Sequence, residues 1–475
     1  MHSWGGKVRT FFSTPPLEGN ARRTFRCHLT YALLDATAGG ILMNAPIVAI
    51  KAFEAANWHL PLRELYAGIG MIASLYLGAR MATRAKMPFV FIPGVLAGLC
   101  SLFMAAATGS AFWFLTLLGI GAMFEVVTRP AITTILRINY PVAYRGHATG
   151  DVRQWASLAF VVSSVASAWM LHWGTGLGCV AGQSEPGAWV AAGLHWSANH
   201  MPQILMVLAG LLNLASFACF RRIRVDEDVN AYRRAAAALG GSGFRSVLRV
   251  ITAGNGRFRR YLVGCFLDGF CQMLYFPLIW AFLSRDLGFG YVGCSVLMHA
   301  VPALAAFAAT GALGRFLDHT NPWISWAWIR CLWGLDALLL AATPVAAVLF
   351  PPALVILPVL GRLLRGSVQG GWWIMWWQIG VTYFAPPGED TSRYMGVMVF
   401  LNGSIRLLAS AAGIGLAALS IPPSVLLIAG GVGVILSGLY SLWQAGWERQ
   451  HRGPETILEF EHRWGGPNRG PTRLD

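Results

Sequence analysis

GIGAMFEVVTRPAITTILRINYPVAYRGHATGDVRQWAS, residues Gly119 to Ser157, decides how this chain is read. An apolar run carries Glu125 and Arg129 inside it, leaves through a basic turn, and re-enters as a second apolar run. The back half repeats the plan with LGRLLRGSVQGGWWIMWW, then FAPPGEDTSRYMG, then NGSIRLLASAAGIGLAAL. Both re-entries read G-x-x-R-x-x-A-S, at Gly150, Arg153, Ala156 and Ser157 and at Gly403, Arg406, Ala409 and Ser410. The shared place of this motif in each half marks two related halves.

Working outward, the 475 residues are 56% hydrophobic and 12% charged, a balance outside the soluble range. About twelve apolar runs of roughly 20 residues recur, each long enough to cross a bilayer core of about 30 Å as a helix. The expected fold class is therefore an all-α membrane protein of twelve transmembrane helices in two pseudo-symmetric six-helix bundles. The net charge of +15 falls mostly in alternate loops, which is a topological signal and not a nucleic-acid footprint. It places both termini in the cytoplasm of a multi-pass protein in a plasma (bacterial inner) membrane.

The expected segments are a cytoplasmic lead at 1–23, a first bundle at 24–220, a basic cytoplasmic linker at 221–260, a second bundle at 261–446 and a cytoplasmic tail at 447–475. No short apolar core with a small-residue cleavage site precedes the first span, so that span reads as retained. A loop of nearly thirty residues after Trp173 lacks Lys and Arg and reads as external. In the linker, Phe244, Val247, Leu248 and Ile251 oppose Arg245 and Arg249, the pattern of a helix lying on anionic lipid. The eight cysteines show no C-x-x-C and no zinc spacing, so no metal or other cofactor is expected. Cys179 and Cys294 are the one pair whose loop positions allow a bridge.

Six spans, a long basic linker and six echoing spans resemble the major facilitator superfamily over about Thr24 to Trp443. The family's turn after the second span of each half has a pattern like G-x-x-x-D-R-x-G-R-K. The rear turn here reads G-R-F-L-D-H at Gly314 to His319, with Gly314, Arg315 and Asp318. The front turn reads A-R-M-A-T-R at Ala79 to Arg84, keeping Arg80 and Arg84 but with Thr83 where the acid belongs. The resemblance implies that these turns help gate a change between inward- and outward-facing states. Two subfamily marks are missing, the G-P-x-x-G-G run of drug–proton antiporters and the P-E-T-L-like end of many sugar porters. The resemblance therefore leaves the substrate open.

An ionisable group inside a lipid-spanning helix is costly unless paired or wetted, so each is a functional candidate. Asp35 and Asp268 each follow a Leu and precede their half's gating turn by similar distances. They are the proton-coupling candidates; the alternative is an Asp that only pins helix packing. Glu125 and Arg129 share a helical face and can pair. Arg362, Arg365 and Gln369 fall in the tenth span, which in the resembled family lines the central cavity. With Arg406 they complete the substrate-cavity set, and paired guanidiniums suit a carboxylate or other anion. The alternative is that one of them pairs with Asp336 or Asp268. The Trp372, Trp373, Trp376 and Trp377 run reads as an interfacial belt, and His299 as a packing residue.

No phosphate-binding loop, H-E-x-x-H or G-x-S-x-G occurs, so ATP-driven transport and hydrolysis have no support and the chain reads as no enzyme. The favoured function is a monomeric secondary transporter of a small solute, an organic anion moved with protons by symport. A transporter-shaped membrane scaffold or assembly factor is the alternative.

Overall fold

The computed structural model describes residues 17–81, 84–107, 109–141, 144–181, 188–225, 256–376, 380–384 and 391–452. The surface helix expected around Phe244 to Ile251, and Thr83, lie outside them. Among the described residues the regular structure is helical throughout. The long helices are α1 (Gly19–Ala52), α2 (Leu62–Met81), α3 (Met87–Ala106), α4 (Ala111–Asn139), α5 (Arg145–Ala181) and α6 (Ala188–Phe220). They continue with α7 (Gly256–Asp286), α8 (Tyr291–Gly314, running on to His319), α9 (Pro322–Leu349), α10 (Ala353–Ile374), α11 (Thr391–Ala418) and α12 (Pro423–Arg452).

Eleven contain windows long and apolar enough to span a membrane. The exception is α2, whose 20 residues are long enough but carry Arg63, Glu64 and Arg80. The expected thirty-residue external loop is largely helix instead, since α5 runs to Ala181 and α6 begins at Ala188. The Ala-rich run AWVAAGLHWSAN continues a helix readily.

Breaks in the helices have identifiable causes. Pro46 has no N–H for the carbonyl of Leu42, and α1 is interrupted between Leu42 and Ala45. Pro277 sits in a 3₁₀ turn, Phe276–Leu278, that breaks α7. A π turn at Val296–Ala300 precedes Pro302 in α8, giving room where the proline ring would crowd the preceding carbonyls.

The chain packs as two compact units. The first holds Met1–Ala253 with Met273–Ala300 and Val399–Pro423; the second holds Gly254–Gln272, Val301–Met398 and Ser424–Asp475. One end of α7 and of α8, and most of α11, therefore belong to the first unit. In that unit α1 packs on α5 and α6, α3 on α4 and α6, and α2 on α4. In the second unit α10 packs on α8 and α9.

Small residues set these approaches, as expected where lipid removes the hydrophobic drive between helices. A Cβ on Gly94 would lie 2.3 Å from the ring of Phe217, which is itself buried against Tyr31. Gly94→Leu should overpack the α3–α6 crossing and cost at least about 1–3 kcal/mol. The check is a lower unfolding temperature in detergent than that of wild type.

Candidate functional site

The first unit holds a cluster of charges that stays accessible at its surface. Glu125 and Arg129, one turn apart on α4, form an ion pair whose side chains remain 35% and 62% exposed. Asp35 on α1 is half-buried and lies within the field of both. Tyr31, one turn earlier on α1, feels the same three charges and is held edge-on by Phe217 and Phe220. Exposed Arg153, more than two turns into α5, feels Arg129. Asp35, Glu125 and Arg129 together carry one negative charge in excess. Such a group can take a proton or leave its guanidinium to another anion.

Arg406 belongs to a different group. It reaches Glu64 at the start of α2 in an ion pair, its Nε donates to Asn402 Oδ1 at 3.3 Å, and Arg63 holds the other carboxylate oxygen at 2.6 Å. Glu64 was not foreseen from sequence. It follows Arg63 in the first turn of a span, so it reads there as one half of an interfacial pair.

In the second unit two ion pairs are sealed. Asp268 is fully buried and accepts from Gln272 Nε2 at 2.7 Å and Trp372 Nε1 at 3.4 Å, with Arg330 Nε at 3.6 Å. Arg330 in turn donates to Ser441 Oγ at 2.6 Å and to the Ser437 carbonyl at 3.3 Å. Arg362 pairs with Asp336, and their side chains are 1% and 0% exposed. Arg362 is thus locked to a neighbouring helix and closed to a ligand in this conformation. Arg365 is half-buried with its guanidinium 4.6 Å from the centre of the Trp333 ring, and Gln369 is exposed.

The tryptophan run is not a belt throughout. Trp372 and Trp376 stack at 5.0 Å within the unit, and only Trp373 of the described three is exposed. The four-residue spacing turns Trp372 and Trp376 to the same inner face. His299 is buried between the rings of Phe160 and Trp280, both at 5.5 Å. Cys294 is a free, buried thiol, and the side chain of Cys179 lies outside the described ones.

At the front turn Arg80 is exposed and lies 5.2 Å from the Tyr76 ring centre, and Arg84 is exposed as well. The turn that lacks its acid is knit by a lysine: buried Lys86 donates to the carbonyls of Met81 and Arg84, both at 2.6 Å. A cation on the last carbonyls of a helix satisfies groups that would otherwise lack partners. At the rear turn Gly314 faces open space, and the side chains of Arg315 and Asp318 lie outside the described ones. No group of three metal-binding side chains occurs among the described residues.

Comparison with solved structures identifies the architecture. A structure of the nucleoside transporter NupG superposes with a TM-score of 0.59 at 14% identity, covering 88% of this chain and 97% of that one. A bacterial homologue of the human lysosomal transporter Spinster, inward-facing and unoccupied, gives 0.58 at 15% identity over 90% and 98%. A POT family transporter in complex with a thioalcohol-conjugated peptide gives 0.58 at 13% identity over 94% and 97%. The protein has the major facilitator fold, spanning nearly the whole of each of these chains. No family model matches the sequence, and no curated protein matches it.

Proposed function

We propose that this protein is a secondary transporter that moves a small organic anion together with protons by alternating access. The observation that carries the reading is the accessible Asp35–Glu125–Arg129 cluster, an ion pair with a second carboxylate in its field. Arg129 is paired with Glu125, and the Asp35 carboxylate adds a second negative charge in the field of that pair. Protonation of Asp35 removes that charge, so an incoming substrate carboxylate is repelled less and can share Arg129, with Arg153 adding a second positive charge. Proton and anion binding then favour each other, which is the thermodynamic requirement for symport. Asp35 is preferred to Asp268 as the proton site because Asp268 is dry and fully partnered.

The same reading has the chain acting as a monomer in a bacterial inner membrane, with termini and basic loops in the cytoplasm against anionic lipid. Its basic loops alternate with loops poor in Lys and Arg, which supports that orientation. The test uses purified protein in proteoliposomes carrying a pH-sensitive dye and an imposed substrate gradient. A panel of small mono- and dicarboxylates, preselected by thermal shift, is expected to include at least one that drives proton movement. Substrate movement without any proton movement would overturn the coupling, and stabilisation only by uncharged solutes would overturn the anion.

A further inference from the structure

In the second unit the start of α7 and the end of α12 lie side by side. Arg257 Nε donates to Glu448 Oε1 at 2.9 Å, and the Arg260 guanidinium lies 3.9 Å from the centre of the Trp447 ring. The Tyr440 hydroxyl donates to the Arg260 carbonyl at 3.2 Å, and a Cβ on Gly433 would lie 2.4 Å from Cys271 Sγ. The partners descend along α12 as they rise along α7, so the two helices run antiparallel.

Exposed apolar side chains on α12 run from Val425 to Trp443. That stretch is roughly 28 Å of helix, which matches a bilayer core of about 30 Å. The helix then continues to Arg452, so Trp447 stands one turn beyond the core, at the level of lipid phosphates. Three- and four-residue steps put Leu436, Leu439, Trp443 and Trp447 on one face of α12, and Arg260, Val263 and Leu267 on one face of α7. Of these, all but Trp447 and Arg260 are exposed apolar residues. The stack of Arg260 on Trp447 joins the two faces where the apolar seam ends.

The charge there is one-sided. Along residues 256–264 and 440–452 Glu448 is the one acid, and its carboxylate, 5% exposed, is taken by Arg257. Arg260 Nε is buried and has no hydrogen-bond partner among the described residues. The indole covers a face of the guanidinium but offers no acceptor to its edge, which is where a phosphate binds bidentately. His451, stacked on Trp447 at 4.3 Å, and exposed Arg259 flank the same place. A cationic edge at the head of an exposed apolar seam has the chemistry of one amphiphile, a phospholipid with a net negative headgroup.

We propose that the paired ends of α7 and α12 form a binding site for an anionic phospholipid. Its phosphate is held at Arg260, with Arg259 and His451 beside it, and its acyl chains lie along Val263, Leu267, Leu439 and Trp443. The site gives a defined place to the attraction between basic loops and anionic lipid in the reading above, and rests on no substrate or proton.

The test is native mass spectrometry of the intact protein titrated with dioleoyl phosphatidylglycerol or dioleoyl phosphatidylcholine. Wild type should hold phosphatidylglycerol about tenfold more tightly, and R260Q should bring the two lipids close to equal. R259Q should lower the preference about threefold. R449Q, which the helical period turns away from Trp447, should keep it. Should R260Q fail to fold, R260K, which keeps the charge but loses the planar fork, should weaken the preference in part. A preference unchanged in R260Q, R260K and R259Q would overturn the site. An equal loss in R449Q would overturn it too, leaving only a general attraction of basic ends for anionic lipid. Displacement of phosphatidylglycerol by equimolar glycerol phosphate would overturn the lipid in favour of a soluble phosphate.

Discussion

Arg362→Met should cost the fold about 3–5 kcal/mol, because it removes one partner of a dry ion pair. The substitution leaves the Asp336 carboxyl in a place with no water and without its one ion-pair partner, and its Oδ1 already lacks a hydrogen bond. Asp336→Asn should cost at least as much, because it leaves the Arg362 guanidinium, which keeps its charge, buried without a carboxylate. Asp336→Asn with Arg362→Met should recover most of the loss, because removing both charges removes the desolvation cost together with the attraction. Unfolding temperature and detergent-stable yield are the measurements. Equal, small losses for all three variants would show that water reaches the pair. The glycine beside it explains the fit: a Cβ on Gly361 would come within 2.9 Å of Asp336 Oδ1.

The contrast between Asp35→Asn and Asp268→Asn is the second large effect. Asp35→Asn should fold normally, since its site is wetted and the field of Glu125 is relieved by losing one negative charge. In proteoliposomes it should drop uphill uptake to background while exchange of solute across the membrane continues, because binding and rocking survive without a titrating group. Asp268→Asn should behave in the opposite manner. It leaves Arg330 without its carboxylate at 1% exposure, and the expected result is a loss of folded protein worth about 3 kcal/mol or more. Uphill transport retained in Asp35→Asn would remove that residue from the coupling step. An Asp268→Asn protein of wild-type stability would show that the ion pair with Arg330 is not what holds this part of the second unit.

Much of this was legible without coordinates. The spans follow from run length and hydropathy, and the Glu125–Arg129 pair follows from a four-residue spacing on one helix. The alternative considered for Arg362, a partner at Asp336, is the arrangement found. Other features were hidden. Glu64 sits beside Arg63 at a span's edge and gives no local sign of reaching Arg406. Lys86 shows nothing in sequence of closing the front turn. Trp372 and Trp376 look like belt residues until the helix against them is known. The two G-x-x-R-x-x-A-S copies are the clearest case. Gly403 and Arg406 build a helix crossing, whereas Gly150 meets nothing within 4 Å and Arg153 is exposed.

By itself, then, the sequence determined that the chain is helical, that it spans a membrane many times, and which charges fall within apolar segments. These follow from hydrophobicity and from the fixed rise and period of the α-helix, which are properties of single segments. Only the tertiary structure decided which of those charges are sealed and which are wetted. That depends on which helices become neighbours and how close their glycines let them come, and no local spacing encodes it.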